Sequence, residues 1–139
     1  MSAFSMLGHI NLKRQGGQAF VELSLVLPIL AFILLGTLDL GRVYFAYTGI
    51  LGAAQHGVRT AINPSSTDAD VRNAVLAEPG STIGISAADI SVSPSPTRST
   101  GQTVTVTVTY RFEVLTPFVN RIWGGGPLTL TASAKGAVV

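Results

Sequence analysis

Leu23 to Leu38 is an uncharged stretch of 16 residues, 11 of them Leu, Ile, Val or Phe. At roughly 0.3–0.6 kcal/mol for each such side chain, transfer of the stretch into a bilayer is favourable by about 3–7 kcal/mol. As a helix it rises about 24 Å, a little short of a hydrocarbon core of about 30 Å. Gln18 to Val21 supply the missing length, but only if Glu22 is carried into or close to the membrane. The alternative, a helix buried in a soluble core, needs protein on all its sides, and 139 residues with this run among them leave too little to cover it. The mean hydropathy of +0.46 and the 12% of charged residues agree with a chain built partly for an apolar solvent, since soluble proteins carry about 25%.

Lys13 and Arg14 precede the run, and no acidic residue lies before Gly17. They account for the whole net charge of +2, because the rest of the chain has seven basic and seven acidic residues. The folded part therefore lacks the basic excess that nucleic-acid binding needs, and nucleic acid is not expected as a partner. By the positive-inside rule the N-terminus is cytoplasmic and the C-terminal part extracytoplasmic, with a single pass. A removable secretory signal is disfavoured, because no A-x-A site follows Leu38 in "DLGRVYFAYTG".

Gly17 stands before the apolar run and Glu22 stands inside its opening turns. Basic leader, glycine, carboxylate, apolar helix: this order resembles a type IV prepilin signal. In that reading Gly17 ends the leader, Gln18 opens the mature chain, and Glu22 is its fifth residue. Cutting after Gly16 would make Glu22 the sixth. A glycine admits the backbone to a peptidase site without a side chain in the way. "GGQAFVELSLVLPILAFILLGTLDLGR" also resembles the start of the TadE-like family, minor pseudopilins of tight-adherence (Flp-type) pilus systems. The resemblance rests on Gly17, Gln18, Val21, Glu22, Leu27-Pro28, Asp39 and Gly41-Arg42. Leu23 stands where that family more often has an aromatic. The tail from Val104, with its "LTP" and "LTLTASA", is similar to the same family, whereas 63–102 carry no part of the resemblance.

The resemblance implies a pilin-like α+β fold. Its parts are a leader over 1–17, a transmembrane helix over 18–40 and an extracytoplasmic domain over 41–139. It implies the cytoplasmic (inner) membrane as location, with the pilus as a further one. The implied partners are the membrane, prepilin peptidase, and other pilus-assembly proteins or pilin subunits. Gly17, Gln18 and Glu22 are the processing and assembly residues. An uncleaved single-pass binding module and a surface adhesin are the alternative functions. Glu22 has two readings: pairing with the new α-amino group of a neighbouring subunit, or a carboxylate favoured by the helix N-terminus.

The residues themselves point to the same architecture. Helical spacing continues past Asp39 through Leu40, Tyr44, Tyr47, Leu51, Ala54, Val58 and Ile62, and stops at "NPSS". Pro28 removes one backbone bond and is expected to kink the membranous half. Gly49 with Ala53, and Ala53 with Gly57, have the spacing of close helix–helix contacts. Thr67 and Asp70 have capping-box spacing before a short helix that ends at Pro79-Gly80. "SVSPSPTRSTG" reads as an exposed loop. "TVTVTVTY" alternates strictly and predicts a strand with Val104, Val106, Val108 and Tyr110 on one face. "PLTLTASAKGAVV" and "DISVS" supply a second and a third strand, and the outer half of the long helix is the expected cover of the valine face. Phe118, Ile122 and Trp123 either cap that core or stand at a contact surface.

Catalysis is not expected. His9 and His56 are the only histidines and stand in no H-E-x-x-H pattern, and there is no cysteine nucleophile. Asp68, Asp70 and Glu78 read as caps and solvated face, and His56 as a solvated helix residue. No cofactor or metal site is expected. The prepilin peptidase is a multi-span aspartyl enzyme; this chain has one span and resembles its substrate.

Overall fold

The computed structural model describes residues 15–78, 84–116, 121 and 124–139. Helix α1, Gln15–Ala61, is a single element of 47 residues with Pro28 inside it. It begins at Gln15, so Gly16 and Gly17 lie in its first turn and not ahead of it. The chain divides into two compact units, residues 1–36 and 37–139.

In the first unit every residue from Gln18 to Leu35 is exposed, although most are Leu, Val, Ile or Phe. Helix α1 contains an 18-residue window of mean hydropathy 2.4 and is long and apolar enough to cross a membrane. A helix that is apolar all round is suited to a membrane span or to cover by other protein.

In the second unit Thr67 opens helix α2, Asp68–Ala77. The Thr67 hydroxyl accepts from the Asp70 N–H, and the Asp70 carboxylate accepts from the Thr67 N–H. That reciprocal pair is the expected capping box. The Thr67 hydroxyl and then its backbone N–H hold the Asp70 carboxyl below its usual range. Ser86 and Asp89 repeat the arrangement at a short 3₁₀ turn, Ala87–Asp89. Strands β1 (Ile90–Ser93), β2 (Thr103–Phe112) and β3 (Leu128–Ala137) form an antiparallel sheet in that order. Ile90 faces Val108, Thr103 faces Ala137 and Phe112 faces Leu128.

Alternation puts Val104, Val106 and Val108 on the inner face, fully buried, with Ile90, Val92 and Ala132. Against them pack Ile50, Ala53, Ala54, Val58 and Ala61 of α1 and Val71 and Val75 of α2. The outer half of α1 thus covers the sheet, as the valine face requires. The buried stripe of the helix differs from the one read by spacing: Leu40 and Tyr44 are exposed, and Ala46, Ile50, Ala53 and Gly57 replace them. The small-residue side wins because it lets the sheet and α2 come closer. A Cβ added at Gly57 would lie 2.5 Å from Val75 Cγ2 and 3.2 Å from Val106 Cγ1, and one at Gly136 would lie 2.6 Å from Val58 Cγ1. Ala53 and Gly57 therefore serve contacts inside the domain.

The outer sheet face carries the threonines, with the Thr107 and Ser133 hydroxyls 3.0 Å apart. The loop after β1 is less open than its composition suggests. Arg98 is buried, donates to the Ser66 carbonyl at 2.7 Å and pairs with Asp68, which also accepts from the Ser95 hydroxyl. Asp68 is thus an internal tie to that loop, where solvated face was expected. Phe118, Ile122 and Trp123 lie outside the described residues, as does the 1–14 part of the leader.

Gly57 and Gly52 separate crowding from helix propensity. Both lie in α1, and a Cβ at Gly52 meets nothing within 4 Å. Gly52→Ala should leave the full chain in detergent as stable or more so, by up to about 1 kcal/mol. Gly57→Ala should be lower than Gly52→Ala by about 1–3 kcal/mol, because the stiff Val75 must move. Equal unfolding midpoints for the two variants would contradict the packing described.

Candidate processing site and domain tie

The processing residues lie at the start of α1. The first four N–H groups of a helix have no intrahelical partner, and two of the residues here, Gly16 and Gly17, are weak helix formers. Gly17 is exposed, with no atom within 4 Å of where a Cβ would stand. One turn on, the Gln18 side-chain amide donates to Glu22 Oε1 at 3.2 Å. Glu22 is exposed, so this bond holds its carboxylate along the helix surface without enclosing it. Ser24 returns its hydroxyl to the Val21 carbonyl at 2.7 Å. Gln18 and Glu22 are thus brought together.

A second polar arrangement opens the other unit, and spacing gave no role for it. Asp39 is only 6% exposed. Its Oδ1 accepts from Arg42 Nη1 at 3.1 Å, and its Oδ2 accepts from the Thr116 backbone N–H at 3.0 Å. Thr116 is itself buried. The Arg42 guanidinium lies 5.0 Å from the centre of the Phe112 ring, within range of a cation–π contact. Phe112 meets Tyr110 edge-on at 6.5 Å. Asp39 thereby ties the segment that follows β2 to the helix that precedes the whole domain. Its partner is 77 positions away, which no local pattern could reveal; the only sign in the sequence was a carboxylate placed immediately after an apolar run.

His56 Nδ1 lies 3.3 Å from Glu78 Oε2, with both side chains partly exposed. Among the described residues no group of three or more His, Cys, Asp or Glu could hold a metal ion.

Gly17, Gln18, Glu22, Pro28, Asp39 and Arg42 all fall inside one further boundary. Residues 17–59 match the TadE-like protein family. The family match implies involvement in tight-adherence (Flp-type) pilus systems. It begins at the glycine proposed to end the leader and stops at Arg59, just before the end of α1 at Ala61. The TadE-like segment thus spans most of the helix, the Asp39–Arg42 pair included. The similarity read for the tail from Val104 lies outside the match. No curated protein and no solved structure matches the chain.

Asp39→Ala should leave the Thr116 N–H and the Arg42 guanidinium without their acceptor, at a cost of about 1–3 kcal/mol. Asp39→Asn keeps an oxygen for Thr116 and should lose less. Limited proteolysis of the full chain reads this out: cleavage at 113–116 should rise in the order wild type, Asn, Ala. Equal cleavage in all three would contradict the tie.

Proposed function

We propose that the protein is a membrane-anchored minor pseudopilin that takes part in assembly of a tight-adherence (Flp-type) pilus. Prepilin peptidase cuts after Gly17, and the apolar helix stays on the product as its anchor. The observation that carries this reading is Gly17 five residues ahead of Glu22 at the start of an exposed apolar helix, within the TadE-like segment. The role is structural, with no reaction assigned to the domain. Cleavage gives Gln18 a free amino group about 6 Å along the axis from Glu22. A neighbouring subunit offset by that distance pairs its ammonium with this carboxylate, which lowers the cost of both charges in lipid. Cyclisation of Gln18 to a neutral ring removes that pair. The basic residues at 13 and 14 favour the inner membrane topology with the domain outside the cytoplasm.

Electrophoresis of Gly17 variants from cells with an active prepilin peptidase tests the reading. Gly17→Ala should be cut in part. Gly17→Leu should accumulate uncut and fail to support piliation. A reporter that works only outside the cytoplasm should be active when fused after Val139. Wild-type protein that remains uncut in those cells would defeat the pseudopilin reading, and activity of a cytoplasm-only reporter at Val139 would defeat the topology.

A further inference from the structure

The large apolar side chains exposed on the second unit are not scattered. They are Leu38, Leu40, Tyr44, Phe45, Tyr47 and Leu115, with the terminal Val139 the one exception among the described residues. Leu40, Tyr44, Phe45 and Leu115 are 72%, 71%, 73% and 71% exposed. The first five lie in the opening turns of the helix within this unit, on the side away from buried Asp39, Ala46 and Ile50. Leu115 joins them because the Thr116 N–H beside it is bonded to Asp39. From Thr48 onward the exposed positions of α1 are polar: Thr48, Gln55, His56 and Arg59. The change of surface is sharp, and it falls at Tyr47.

Helix rise says what solvent this patch meets. Counted from Val21, a hydrocarbon core of about 30 Å ends near Gly41. Tyr44 to Tyr47 occupy the next ~5–9 Å, the depth of the headgroup zone, where tyrosines are enriched. On the other side of the helix Asp39 is buried against Arg42 and the Thr116 N–H, while the Arg42 side chain stays half-exposed. Beside it a groove of about 420 Å³ runs between Leu38, Phe45 and Ala46 of the helix and Tyr110 and Phe112 of β2, with Arg42 at its side.

We propose that this end of the domain is a lipid-contacting surface: Leu40, Tyr44, Phe45, Tyr47 and Leu115 are immersed in the bilayer interface. The buried Asp39 holds the 113–116 segment against the helix at that depth, and the exposed Arg42 and Glu113 side chains are long enough to reach the headgroups. This rests on the membrane-anchor reading, and the test separates the two.

The chain has no cysteine, so single cysteines can be spin-labelled selectively. The full chain is reconstituted in phosphatidylcholine–phosphatidylglycerol vesicles with a label at Phe45→Cys, Leu115→Cys, Leu30→Cys or Ser91→Cys. All four positions are exposed, so none of the replacements empties the core. Collision of each label with oxygen, which partitions into lipid, is compared with collision with a water-soluble nickel chelate. Labels at 45 and 115 should show an oxygen-to-nickel ratio above that at 91 and below that at 30. If 45 and 115 match 91 while 30 is lipid-like, the anchor stands and the lipid-contacting surface is wrong. If 30 is also water-like, the anchor itself is wrong. A label at 45 or 115 shielded from both reagents is covered by protein, a second copy included, and overturns the lipid assignment.

Discussion

Contact between the small-residue side of α1 and the valines of β2 governs the rest of the domain. Three strands and a ten-residue helix have little apolar surface of their own, and a two-layer domain needs a cover for the inner face of its sheet. The cover is the second half of a helix whose first half faces outward in every direction. Ala53, Ala54, Gly57 and Ala61 present almost no side chain, so Val75 and Val106 fill the space at Gly57, and Val58 and Ile62 fill it at Gly136. The C-terminus is then drawn in as well: the Val138 N–H donates to the Gln102 carbonyl and the Val139 N–H to that of Ile62. Larger residues on that helix side would hold the sheet away and open the core.

Helix α1 has two stretches with different surfaces. Over the first, it is apolar all round and exposed; over the second, one side is protein-facing and the other changes from apolar to polar at Tyr47. Asp39 stands at the change. A carboxylate there is tolerable because a guanidinium and a backbone N–H meet it. The same contacts order the chain after β2.

Much of this was legible in the chain itself. Strict alternation over Thr103 to Tyr110 located β2 and its buried face, because a strand's side chains have a period of two and admit no other assignment. Thr67 and Asp70 located α2, because a capping box is local. The helix end at "NPSS" was legible for the same reason. What was not legible depended on distance. Spacing alone selected Leu40 and Tyr44 for the buried stripe, since it weighs large apolar residues above small ones, whereas close packing against a sheet favours the small ones. Arg98 was read as loop surface because its partners, Ser66 and Asp68, lie 32 and 30 positions away. Asp39 was visible as a carboxylate closing an apolar run and as part of a family pattern, but its partner Thr116 was not. Of the residues proposed for processing, the structure brings Gln18 and Glu22 together through one side-chain hydrogen bond.

The central claim is that the protein works as a cut, membrane-anchored pseudopilin. Its most direct test is the intact mass of the wild-type protein extracted from the membranes of piliated cells. The mass should correspond to Gln18–Val139, with or without loss of ammonia from Gln18. A mass corresponding to Met1–Val139 as the main species would contradict the claim and leave an uncut, anchored domain in its place.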